Sequence, residues 1–231
     1  MHSLARPRYL LLIAASLLLA ASGALAHDLS GENADFVRHL AGPAPGPFLY
    51  LGAKHMVTGL DHLLFLLGVV FFLYRGRDVV LYVTLFTVGH SLTLLLGVML
   101  GWQINPYLID TVIGLSVVYK AFENMGGFRS VFGVSPDTRI AVFAFGLCHG
   151  LGLATRLQSY INPEAGLYTN LFSFNLGVEV GQIAALVFIL LLLQQWRARA
   201  GFETQAFYAN TALMLAGFVL AGTQFAGYLG V

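Results

Sequence analysis

Six apolar runs, at about 48–74, 79–101, 107–126, 138–155, 168–196 and 206–229, alternate with short polar or Gly/Pro-marked turns. A helix needs roughly 20 apolar residues to cross the hydrocarbon core of a bilayer, and these runs have that length. The pattern predicts an all-α fold, a polytopic membrane bundle of about six transmembrane helices. Within it, Gly146-xxx-Gly150 and Gly177-xxx-Gly181 predict close helix contacts, since small residues at that spacing let backbones approach in lipid. Ahead of the first run, residues 1–26 have a basic start (Arg6, Arg8), an apolar stretch from Tyr9 to Ala20 and the triplet Ala24-Leu25-Ala26, the layout of a cleavable signal peptide. Residues 27–47 are polar, then Pro/Gly-rich, and read as an exported segment; residues 48–231 form the membrane domain.

Composition sharpens this picture. The 231 residues are 58% hydrophobic and 10% charged, against roughly 25% charged in soluble domains. A net charge of +1 without a basic block gives no footprint for nucleic acid, leaving the lipid bilayer as the first partner. The single cysteine, Cys148, closes no intrachain disulfide. Arg75, Arg77, Arg129, Arg139, Arg197 and Arg199 fall on alternate loops, whereas Arg38, Lys54 and Arg156 fall on the others. Because Lys and Arg stay cytoplasmic, this bias predicts a bacterial-type inner membrane protein with both termini on the outer side.

An ionisable side chain inside a span is costly and marks a candidate site. The first run holds His55, Asp61 and His62, the second His90 beside Ser91, the fourth His149 beside Cys148, and the fifth Glu179. Counted inward at about 1.5 Å per residue, His62, His90 and Glu179 reach similar depth and His149 lies somewhat nearer the outside. That convergence suits one shared site for a divalent transition metal, since imidazole and carboxylate together bind nickel, cobalt, copper or zinc. Asn175, Glu179 and Gln182 stand at i, i+4 and i+7, one polar stripe that must face protein or water. Lys120, Glu123 and Asn124 form a second group on the third run, either an inner relay or simple charge neutralisation. On an unbroken helix His55 and His62 would be about 10.5 Å apart. Either the helix is interrupted near Thr58-Gly59, or His55 belongs to an outer access site. His2 and His39 have no partner spacing, and His27 is a weak candidate for copper chelation at the mature amino terminus.

His55-x5-Asp61-His62, Gly89-His90-Ser91-Leu-Thr93, Phe145-Gly-Leu-x-His149-Gly-Leu-Gly152 and Phe174-Asn-Leu-Gly-Val-Glu179-x-Gly-Gln182 together resemble the HupE/UreJ family of membrane proteins. The resemblance implies a multi-helix permease for nickel or a similar ion, with hydrogenase or urease maturation proteins as partners, and it assigns His55, Asp61 and His62 to metal translocation. Nickel permeases of the family also carry Phe-His-Gly-x-Ala-His-Gly, where this chain reads Phe145-Gly-Leu-Cys-His-Gly150 with one histidine. Cobalt, copper and zinc therefore stay open beside nickel.

No Gly-x4-Gly-Lys-[Ser/Thr] loop occurs in the sequence, so transport would be passive, voltage-driven or ion-coupled. Two other readings remain: an intramembrane zinc hydrolase with Asp61 or Glu179 as base, and a non-transporting subunit that delivers metal to a partner.

Overall fold

The computed structural model describes residues 42–158 and 166–230. The expected signal peptide and most of the exported segment, with His2, His27, Arg38 and His39, lie outside the described residues. Among those described, every regular element is helical: α1 (Pro45–Thr58), α2 (Leu60–Val70), α3 (Gly76–Met99), α4 (Pro106–Asn124), α5 (Gly127–Phe132), α6 (Thr138–Leu157), α7 (Leu167–Arg197) and α8 (Phe202–Leu229). The all-α membrane bundle is thus observed, and the six apolar runs reappear with bounds shifted by a few residues.

By length and apolarity α3, α6, α7 and α8 can each cross a membrane, and α1 with α2, bent by 63° at one residue, makes a fifth candidate. Helix α4 has 19 residues but carries Asp110, Lys120 and Glu123, and it packs against α8, α6 and α2. The outward faces of the long helices carry Val80, Val88, Phe172, Ile183, Phe188 and Phe218, all exposed, as a lipid-facing surface requires.

Three helix pairs make the frame: α1 with α7, α3 with α6, and α4 with α8. In each, glycine lets the backbones touch. A methyl group on Gly89 of α3 would lie 2.6 Å from the Phe143 carbonyl oxygen of α6, and one on Gly181 of α7 would lie 2.6 Å from that of Ala53 in α1. Gly146 and Gly150 meet the carbonyls of Phe86 and His90 in the same way, so both small-residue motifs are packing contacts. The order of these contacts makes α1/α7 and α3/α6 parallel, whereas Gly114 against Ala221 and Gly227 against Tyr107 make α4/α8 antiparallel. Inside the frame sits α2, whose Leu64, Phe65, Leu66, Val69 and Val70 are all buried.

Local signals fix the helix ends. Asn105 accepts from Tyr107 N at 2.9 Å with Pro106 as the first residue of α4, and Asp137 accepts from Arg139 N at 2.8 Å at the start of α6. Arg197, at the end of α7, donates to the carbonyls of Phe71 (2.7 Å) and Leu73 (3.0 Å), closing the C-terminus of α2. One end of the bundle therefore carries Arg75, Arg77, Arg197 and Arg199. At the other, α4 begins and α6 finishes.

Candidate functional site

The site begins with the break between α1 and α2. Gly59 takes an extended conformation (φ −68°, ψ 100°) and donates to the His55 carbonyl at 2.8 Å, which ends α1. The chain then turns by 63° and restarts as α2. A methyl group on Gly59 would stand 3.0 Å from His62 Nδ1 and 3.2 Å from Asp61 Oδ1, so the turn is packed directly against the next two functional side chains. The interruption brings the rings of His55 and His62 to 5.0 Å between centroids, half the separation along a regular helix. Of the two sequence alternatives, the structure has the broken helix.

Asp61, His62 and His149 are all buried and each offers a ligand atom, with these atoms within 4.8 Å of one another. Bonds of about 2.0–2.1 Å hold the ligand atoms of one ion roughly 3–4 Å apart, so the trio closes on a cation with a contraction of about an ångström. Hydrogen bonds orient both imidazoles. His62 Nδ1 lies 3.1 Å from Asp61 Oδ1; the carboxylate accepts the Nδ1 proton, and Nε2, buried without a hydrogen-bond partner, keeps its lone pair. Ser116 donates to the Ile113 carbonyl at 2.6 Å, so its oxygen accepts from His149 Nε2 at 3.2 Å, and that ring presents Nδ1. Carboxylate and hydroxyl partners of this kind set the tautomer of metal-binding histidines. Phe65 and Phe86 stand 5.2 and 5.1 Å from the His149 ring, an apolar wall that keeps water from weakening the site's electrostatics.

His90, on α3, stands 5.8 Å from the His62 ring and is buried with neither nitrogen hydrogen-bonded. Glu179 is half-buried on α7, outside the cleft lining, and accepts from Asn175 at 3.4 Å. Further along the same stripe Gln182 accepts from Thr87 of α3 at 2.7 Å, while Gln182 Nε2, Asn175 Oδ1 and Ser91 Oγ are buried without hydrogen-bond partners. Cys148 carries a free thiol. Lys120, Glu123 and Asn124 lie apart: Lys120 donates to Glu123 at 2.7 Å, Glu123 also accepts from Thr138, and Asn124 donates to Gly68 O (2.8 Å) and Asn210 (2.9 Å).

Besides Ser116, two residues absent from the sequence-based candidates complete the site. Asp110 of α4 and Arg156 of α6 form an ion pair and line the same small cleft as His55, Asp61, His62 and His149. Asp110 was legible as an ionisable residue inside an apolar run; Arg156 read as a loop charge.

The family model described as HupE / UreJ protein matches residues 32–230. No curated protein and no solved structure matches the chain.

Proposed function

The chain belongs to the HupE/UreJ family, associated with metal uptake or accessory function, and from that premise we propose that it is a membrane permease for a divalent transition metal ion, nickel first among them. The observation that carries the reading is the convergence of Asp61, His62 and His149 on one buried point, with both imidazoles oriented by a neighbour. Borderline nitrogen donors and one hard carboxylate suit nickel, cobalt, zinc or copper better than calcium or magnesium.

The ion enters the cleft where α4 begins and α6 ends. His55 and Asp61 meet it first, and it settles between His62 and His149. His90, next to His62, and the α7 stripe of Asn175, Glu179 and Gln182 with Ser91 form the onward route, which accounts for the unsatisfied buried atoms of His90, Ser91, Asn175 and Gln182. The arginine-bearing end is cytoplasmic under the positive-inside rule, so movement is inward and both termini lie outside, behind a cleaved signal peptide. Voltage then contributes about 4.6 kcal/mol per 100 mV to a divalent cation, enough to drive uptake without nucleotide.

The test is uptake of nickel, cobalt, zinc and copper into proteoliposomes, with His62→Ala alongside. Saturable uptake lost in the variant supports the permease. Metal held tightly without uptake removes it and favours a delivery subunit.

A further inference from the structure

Among the described residues that line the cleft, the charged side chains are Asp61, Asp110 and Arg156. Asp110 is almost wholly buried and its ion-pair partner Arg156, which joins α6 to α4, is about a quarter exposed. With neutral imidazoles these three sum to one negative charge. A guanidinium is always protonated, so its charge is a fixed feature of the cleft. Removing it would leave two carboxylates, the charge that matches a divalent ion.

We propose that Arg156 is a tethered cation that holds Asp110 until the metal ion arrives, and that Asp110 is then transferred from the guanidinium to the ion. The inference rests on the permease reading and adds a specificity and release device to the same site. An arriving ion of charge two outcompetes a singly charged guanidinium for Asp110, whereas a monovalent ion has no such advantage. When the ion moves on toward His90, Arg156 recaptures Asp110 and lowers the site's affinity behind it. Geometry permits the exchange: Arg156 lies in the last turn of α6, a long, partly exposed side chain at a helix end that can swing its guanidinium away from Asp110.

The test is nickel binding by the full-length protein in nanodiscs, measured calorimetrically, together with initial uptake rates. Arg156→Gln should bind nickel at least about tenfold tighter and turn over more slowly at saturating nickel, because release loses its competitor. Arg156→Lys should stay within about threefold of wild type. Asp110→Asn should bind about tenfold more weakly, and adding Arg156→Gln to it should change binding by less than about threefold, since the guanidinium then has no carboxylate to give up. A pair that merely joins α4 to α6 predicts lower melting temperatures for both single variants and no tightening. Arg156→Gln binding that is unchanged or weaker, or an equal tightening by Arg156→Gln when Asp110 is already Asn, overturns the proposal while wild-type binding abolished by His62→Ala keeps the permease. Wild-type protein that binds no divalent ion removes both.

Discussion

The polar clusters around Lys120 and around His62 solve the cost of burial in opposite ways. Around Lys120 the groups satisfy one another: Lys120 with Glu123, Glu123 with Thr138, Asn124 with Asn210 and the Gly68 carbonyl, and Asn210 with the Ala206 carbonyl at 2.9 Å. Around His62 they do not. Its Nε2 and both nitrogens of His90 are buried without a hydrogen-bond partner, although an orphaned buried polar group costs about 1–3 kcal/mol. The first cluster has the form of a joint between α2, α4 and α8. In the second, the unused lone pair of His62 Nε2 stands beside Asp61 and His149, where a cation would satisfy it. A polar group in a membrane helix is thus a structural residue or a ligand according to whether the protein has already used its lone pairs.

Breaking each cluster should produce different kinds of loss. The largest effect is expected from His62→Ala, which should reduce metal uptake by roughly a hundredfold or more, since even supporting partners of ligands are worth 10–100-fold. Its melting temperature in detergent should stay near wild type. Glu123→Gln should do the reverse. It leaves the Lys120 ammonium uncompensated inside the bundle, a loss of about 3–5 kcal/mol in stability, with nickel affinity in the surviving folded fraction little changed. Gly59→Ala adds one methyl group against the His55 carbonyl oxygen, His62 Nδ1 and Asp61 Oδ1, at 2.9, 3.0 and 3.2 Å, and should weaken nickel binding by about 10–100-fold through displacement of the ligands. Its backbone angles are open to alanine, so unfolding should be the smaller effect. The smallest change is expected from Asn210→Ala, which removes two neutral hydrogen bonds, with Asn124 and with the Ala206 carbonyl, and should cost about 1–2 kcal/mol of stability, read from thermal unfolding, with uptake unchanged.

Much of the fold was legible because the bilayer imposes a length on each helix, and the six apolar runs correspond to α1 with α2, then α3, α4, α6, α7 and α8. The break at Gly59 was legible as one of two solutions, since His55 and His62 are too far apart on a straight helix to share an ion. Pairing between distant helices was not. Nothing in an apolar run says that α3 lies parallel to α6, yet that contact sets His90 and His149 around His62. Ser116 carries no sequence signal, because a serine in a helix usually bonds a carbonyl one turn back, and this one does so while also orienting His149. Asp110 satisfied the rule that selected the other candidates, but its meaning depends on Arg156, 46 positions away, and only tertiary structure joins them.

The central claim is that Asp61, His62 and His149 hold one cation together. X-ray absorption spectroscopy of the nickel-loaded protein in nanodiscs reads that directly, because imidazole rings leave a distinct outer-shell scattering pattern. The predicted spectrum has at least two imidazoles with carboxylate oxygen in the first shell, and His62→Ala and His149→Ala each remove one imidazole. A shell of oxygen alone, or a histidine count unmoved by His149→Ala, would contradict the account.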